Sequence, residues 1–148
     1  MSAPDADWDL PGPHVVVIDV QPGDIDEYRH VNNAVYMQWL DRAAWSHATS
    51  FGMSPAVCME TRRGMVVHRA ELDYERAALA GDTVRVATWV VTSDLRLRAT
   101  RQFQVRRARD GVTLLRARID YVCTNLESGR ATRMPESFAA GFRSVIRS

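Results

Sequence analysis

One segment constrains this chain more than any other: a single long stretch of helical periodicity, followed mostly by strand-like sequence. Tyr36, Leu40, Ala43, Ala44, His47 and Phe51 recur at spacings of three and four, which puts their side chains on one face of an α-helix. Asn32 or Asn33 offers a short side-chain oxygen to the orphan N–H groups at its start, and Gly52 followed by Pro55 supplies the stop. The spacing predicts a helix over about 33–51. Its apolar face must be buried against something, and the rest of the chain offers a sheet.

The strand signals are regular. His14-Val-Val-Val-Ile-Asp-Val20 reads as a first strand stopped by Pro22-Gly23. Four more runs follow a loop that contains Cys58 and Arg62-Arg63-Gly64. In 66–76, Val66, His68, Ala70, Leu72 and Tyr74 alternate against Arg69, Glu71, Asp73 and Glu75. The run 83–92 is rich in Val and Thr. The runs 96–107 and 112–124 alternate around Leu97, Ala99, Phe103 and Val105, and around Leu115, Ala117, Ile119, Tyr121 and Cys123. Gly81-Asp82, Asp94 and Asp110-Gly111 mark the turns and predict four hairpin-linked antiparallel strands. A short helix behind Pro135 would bury Phe138, Phe142 and Val145 or Ile146. One long helix against one antiparallel sheet is an α+β layer architecture. Residues 1–13 hold three prolines and three aspartates and read as a flexible lead-in to a single domain over 14–148.

Composition narrows the function classes. A chain of 148 residues buries enough surface as one domain to need no metal or disulfide. Cys58 and Cys123 make neither metal-ligand spacing nor a bridge framework, which suits a reduced, cytoplasmic setting. No apolar run approaches the roughly 20 residues of a membrane span, and the acidic N-terminus lacks a secretory h-region. The net charge is +1, and all 19 basic residues are Arg. They are unevenly placed: residues 1–95 hold 7 Arg against 14 acids, and residues 96–148 hold 12 against 4. Near neutrality overall argues against a nucleic-acid binder, as does the lack of interleaved aromatics among the arginines of 96–109. The basic last third keeps an anionic ligand in play.

The polar stretch ahead of the long helix carries the chemistry. It reads Asp24-Ile-Asp26-Glu-Tyr28-Arg29-His30-Val-Asn32-Asn33-Ala-Val-Tyr36. A carboxylate and an imidazole stand four residues apart, just before a helix N-terminus whose unpaired N–H groups suit a developing oxyanion. Asp26 could act as nucleophile or as general base; at an ordinary pKa of about 3.9 the latter needs partial burial or a second carboxylate nearby. The same residues also suit a plain capping loop with solvated acids, and the pattern by itself leaves both readings open.

The string Asp-x-Asp-x-x-x-His-Val-Asn-Asn-x-x-Tyr followed by a long helix resembles the signature of hot-dog-fold thioesterases. The branch it is most similar to contains 4-hydroxybenzoyl-CoA, bacterial acyl-CoA and plant acyl-ACP thioesterases. Glu71-Leu-Asp-Tyr74-Glu-Arg-Ala77-Ala-Leu-Ala-Gly81-Asp82 resembles a second block of that family, and the likeness covers about residues 14–125. It implies a five-stranded antiparallel sheet wrapped around one central helix. It implies an acyl-CoA thioesterase with Asp26 as the catalytic carboxylate, the backbone N–H near Asn33 polarising the thioester carbonyl, and His30 orienting the carboxylate or touching the thioester. Asn32 and Tyr36 stand beside them as substrate contacts, and Arg96, Arg98 and Arg106 become candidates for the phosphates of CoA or an acidic acyl carrier protein. No metal or redox cofactor is implied, CoA being part of the substrate, and a homodimer or homotetramer is. The chain departs from the family at Tyr28, where the plant branch has Asn, at Arg29, where many bacterial members have Gly, and at Ala77, the usual Pro.

Other residues read as structural. Asp24 is expected to be solvated or turn-bonded, His47 to be a satisfied core or interface histidine, and Asp41 to pair with Arg42, Arg69 or another Arg. His68 is expected in the core, Cys58 to be no nucleophile, and Trp39 and Trp45 to be core or dimer contacts. Arg101 falls on the apolar face of its strand and requires a buried partner, a bulge or a register change. Two other functions fit the resemblance. A hot-dog enoyl-CoA hydratase or dehydratase typically carries Asn and Pro where Tyr28 and Arg29 stand and lacks the Asn-Asn-x-x-Tyr continuation. A non-catalytic acyl-thioester-binding module would bind without turnover.

Overall fold

The computed structural model describes residues 8–146. Five strands, β1 (His14–Asp19), β2 (Arg63–Tyr74), β3 (Thr83–Ser93), β4 (Arg98–Arg107) and β5 (Thr113–Asn125), form one antiparallel sheet in the order β1-β3-β4-β5-β2. The expected helix is α1 (Asn33–Ser50), and the short C-terminal one is α3 (Glu136–Val145). Asn32 caps α1 by accepting the Ala34 N–H at 3.0 Å. The helix buries Val35, Tyr36, Trp39, Leu40, Ala43, Ala44 and His47; five of these belong to the predicted face, Val35 and Trp39 flank it, and Phe51, the sixth predicted member, is the half-buried C-cap. Against that face lie Val84, Val86, Phe103, Val105, Leu115 and Ile119, the inward residues of β3, β4 and β5.

Two sequence expectations need correction. The strands are not all hairpin-linked: β3–β4 and β4–β5 are hairpins, but β2 pairs with β5 and β3 with β1. The segment through Gly81-Asp82 is therefore a crossover between two non-adjacent strands, and turn chemistry alone cannot reveal which strand follows as a neighbour. His68 is exposed rather than in the core. The β2–β5 register slips between Val67 and Arg69, so the alternation along β2 breaks there. β2 is also an edge strand with most of both faces open.

The expected loop after α1 contains a further helix, α2 (Pro55–Thr61), capped by Ser54, which accepts the Val57 N–H at 3.2 Å. At seven residues it is too short to show helical periodicity. Together α2 and α3 close a second apolar cluster of Met53, Cys58, Val90, Cys123, Phe138 and Phe142. On the outer sheet face Trp8 packs with Ala87 and Trp89, and the Trp89 indole donates to the Pro11 carbonyl at 3.0 Å. The remainder of the expected lead-in, residues 1–7, lies outside the described residues. None of the described helices is long and apolar enough to cross a membrane.

Candidate active site

The turn that carries Asp26 is a miniature hairpin. Ile25 and Val31 form an antiparallel bridge, and the Asp26 N–H donates to the His30 carbonyl at 2.8 Å. Arg29 turns the chain with a φ of 65°, a left-handed conformation that glycine adopts without penalty. That explains the family's preference for Gly here: the backbone geometry is kept, and Arg29 holds it at some strain. The carboxylate is locked by the same turn. Its Oδ1 accepts the N–H groups of Tyr28 at 2.9 Å and His30 at 3.2 Å, while Oδ2 has no partner among the described residues. Asp24 is turn-bonded as expected, accepting the Gln21 N–H at 2.8 Å.

The start of α1 is equally well defined. The Ala34 N–H goes to the Asn32 side chain at 3.0 Å and the Val35 N–H to the Asn32 carbonyl at 2.9 Å. The Asn33 N–H finds no acceptor among the described residues, and no acidic side chain sits in the first turn to neutralise the helix end. One donor thus remains open at the positive end of the helix.

The second sequence block is the buttress of this turn. The Tyr74 hydroxyl donates to the Asn33 carbonyl at 3.0 Å. The Ala78 N–H donates to the Tyr36 hydroxyl at 2.8 Å, and the Val31 N–H to the Ala78 carbonyl at 3.0 Å. Asp82 is buried and accepts the Leu79 N–H at 2.9 Å and Arg107 Nε at 3.1 Å. Arg107 also donates to the carbonyl of Ala77 at 3.0 Å, so the position without its proline is pinned by a side chain. Burial pushes the Tyr36 hydroxyl pKa up, with the Ala78 N–H opposing the shift, and this keeps Tyr36 protonated at neutral pH.

Asp26, His30, Asn33 and Tyr36 share one cleft of about 290 Å³ with Tyr74 and Arg76. Asn32 and Asp26 line an adjoining hollow with Tyr28. The three arginines expected at the substrate are not brought to the cleft. Arg106 lies on the outer sheet face, its guanidinium 5.2 Å from the Trp8 ring and its Nε donating to the Gly111 carbonyl at 2.8 Å. Arg96 and Arg98 flank the β3–β4 turn, where the N–H of each meets Asp94 Oδ1 at 2.9 Å. The arginine on the cleft wall is Arg76, which sequence reasoning passed over together with Tyr74. Their signal was present, since both belong to the second block, but only the fold shows that this block faces the first.

Asp41 makes no ion pair with Arg42, Arg69 or any other Arg among the described residues, contrary to expectation; partial burial lifts its carboxyl pKa. The Cys58 thiol is buried, and burial raises its pKa as well, which suits packing and not nucleophilic attack. Trp39 is core, while Trp45 stays 40% exposed. Among the described residues no group of three or more His, Cys, Asp or Glu is placed to hold a metal ion.

A five-stranded antiparallel sheet closed around one long helix is the hot-dog fold. The chain belongs to the thioesterase-like superfamily, whose family model matches residues 20–142. Among solved structures it is similar to a 1,4-dihydroxy-2-naphthoyl-CoA thioesterase from Synechocystis, with a TM-score of 0.79 and 19% identity over 89% of this chain and 96% of that one. It is also similar to a DHNA-CoA thioesterase from Staphylococcus aureus, with a TM-score of 0.82 and 16% identity over 89% of each chain. A hypothetical protein from Staphylococcus aureus in complex with CoA superposes with a TM-score of 0.82 at 17% identity, over 90% of this chain and 83% of that one. Comparison with curated protein sequences gives no match.

Proposed function

We propose that this protein is an acyl-CoA thioesterase, converting R–CO–S–CoA and water to R–COOH and CoA–SH. The observation that carries the reading is the cleft in which Asp26, with one carboxylate oxygen uncommitted, meets the open N–H of Asn33 at the start of α1. The thioester carbonyl oxygen takes the Asn33 N–H, and the negative charge it gains during attack is stabilised by that donor and by the helix end. Asp26 either attacks the carbonyl carbon or removes a proton from the attacking water. In both routes the C–S bond breaks and the thiolate leaves with a proton drawn from water. His30, on the wall of the same cleft, contacts the thioester. Arg76 serves the phosphates of CoA from the cleft wall, as a donor to a pyrophosphate oxygen. Neighbours named as CoA thioesterases and as a CoA complex support CoA as the carrier, and a 12:0-ACP thioesterase among the similar structures keeps an acyl carrier protein as the alternative.

A second copy completes the assembly in this reading. β2 is an open edge of twelve residues, with Val66 and Val67 45% and 46% exposed, and unpaired edges of this length invite pairing. Light scattering is expected to give a dimer or tetramer, and a Val67→Lys variant to shift it toward monomer; a monomeric wild type would remove this part of the reading.

A panel of aliphatic and aromatic acyl-CoA esters, assayed for free thiol, tests the activity. Asp26→Asn is expected to lower kcat by about 10²–10⁴-fold with melting temperature unchanged. Turnover at the wild-type rate in that variant would overturn the assignment of Asp26, and an enoyl-CoA consumed without thiol release would overturn the reaction class. In a single turnover in oxygen-18 water, label recovered in Asp26 marks direct attack, in which water hydrolyses the acyl–Asp26 anhydride at the Asp26 carbonyl.

A further inference from the structure

Among the described residues the buried charge of Arg101 has no counter-ion. Arg101 points inward from β4, 4% exposed, between Val90 and Ile119 in neighbouring strands. Its guanidinium donates to His47 Nδ1 at 2.9 Å, Thr88 Oγ1 at 3.2 Å and the Ala44 carbonyl at 3.5 Å. All three acceptors are neutral: because Arg101 can only donate, His47 must present an unprotonated Nδ1. No carboxylate lies within ion-pair distance among the described residues. A slip in the β3–β4 register between Val90 and Thr92 adjoins Arg101 without turning it outward. Burial pushes its pKa down to about 10, which still leaves the guanidinium charged at neutral pH.

Arg101 lines a half-open pocket of about 80 Å³ between α1 and the sheet, with Trp45, Ala48, Met65, Val67, Tyr121 and Phe142 among its walls. Asp41 is the one acid on this wall. It sits on the exposed side of α1 and makes no ion pair or hydrogen bond with Arg101. Apolar walls around one buried positive charge suit a short apolar stem with a negatively charged end. Along α1, Ala44 lies eleven residues beyond Asn33, or about 16 Å, so this space is separate from the cleft at Asp26.

We propose that this cavity binds the carboxylate of a small aliphatic acid group, with Arg101 as its counter-ion and the Ala48, Met65 and Phe142 walls around its carbon stem. A charge taken out of water is unfavourable unless an opposite charge meets it, and a carboxylate against the guanidinium fork provides both charge and bidentate geometry. Two sources share this chemistry: a free short-chain acid, and the distal end of a long acyl group that bears a terminal carboxylate.

Butyrate and its neutral isostere butyramide, titrated into the whole protein by calorimetry, test the proposal without relying on turnover. Butyrate is expected to bind at least about tenfold tighter than butyramide, the discrimination that one charge-assisted hydrogen bond supplies. Arg101→Met is expected to abolish that difference, and Arg101→Lys to retain part of it. Arg101→Met keeps the stem and removes a buried charge, so it is expected to melt no lower than the wild type. Equal affinity for the two ligands, or butyrate binding unchanged in Arg101→Met, would overturn the proposal. Should Arg101→Met not fold, the butyrate-to-butyramide ratio of the wild type decides alone. Displacement of butyrate by a terminal-carboxylate acyl-CoA assigns the site to the acyl end, and simultaneous binding assigns it to a free acid. Both of those outcomes uphold a carboxylate site.

Discussion

The two ends of α1 solve opposite problems. At its N-terminus the turn of residues 24–33 shows its charges to solvent; its carboxylates and helix cap are held by N–H groups within a few positions, while the second block buttresses its backbone. Asp26 is held by the N–H groups of Tyr28 and His30, and Asn32 by the Asp24 carbonyl. Toward its C-terminus the helix covers a half-open pocket whose buried charged member, Arg101, reaches His47 across 54 positions of sequence. At the first end local hydrogen bonds orient the side chains and leave two reactive groups open. The second is built by packing from α1, α2, α3 and the sheet, and leaves a charge uncompensated. Reactivity in this fold comes from short-range design and enclosure from long-range assembly.

The sharpest way to break that contrast is a single methyl group at each end. A Cβ at Gly141 in α3 would stand 2.6 Å from the Phe51 ring and 2.7 Å from the Phe51 carbonyl, whereas one at Gly23 meets nothing within 4 Å. Gly141→Ala is expected to lose about 1–3 kcal/mol by overpacking even though alanine favours the helix, and Gly23→Ala to stay within about 0.5 kcal/mol of the wild type. Urea denaturation of both variants measures this. Equal effects would mean that the closed end is no tighter than the open one.

The next effect depends on pH. His14 stacks on His47 at 4.8 Å and meets Ser46 Oγ at 2.8 Å. Burial first, and then Arg101, hold its pKa below the ordinary 6.5. The native state therefore favours neutral His14. Its contribution is complete above about pH 6.5 and is lost as pH falls through the lowered folded value. Melting temperature is expected to fall from pH 7 to pH 5, with a shallower fall in His14→Gln. The same slope in that variant would detach His14 from the enclosed end.

The smallest effect lies in the open turn. Arg29 holds a left-handed backbone, so Arg29→Gly is expected to gain up to about 1 kcal/mol, less the chain entropy that glycine adds. Arg29→Val is expected to lose stability, because a β-branched residue resists that φ. If valine and glycine melt alike, the strain at Arg29 is negligible.

These regions also differ in how far the sequence disclosed them. Helix α1, its cap at Asn32, the five strands and the cluster of Asp26, His30 and Asn33 were legible because each depends on periodicity or on partners a few residues away. The roles of Tyr74 and Arg76 were hidden, since a crossover of β2 to β3 had to fold the second block against the first. Arg101 was visible as an anomaly, but its neutral partners and its cavity were not. The open β2 edge and exposed His68 were missed because a register slip erases alternation.

By itself the sequence determined the long helix, the C-terminal helix and the five strands, where the long helix begins, and which polar turn precedes it, because local backbone chemistry fixes these. The tertiary structure alone decided strand order, which face of β2 meets solvent, which arginine stands in the cleft and which is shut inside. Those outcomes depend on contacts between residues tens of positions apart, whose geometry no local pattern encodes.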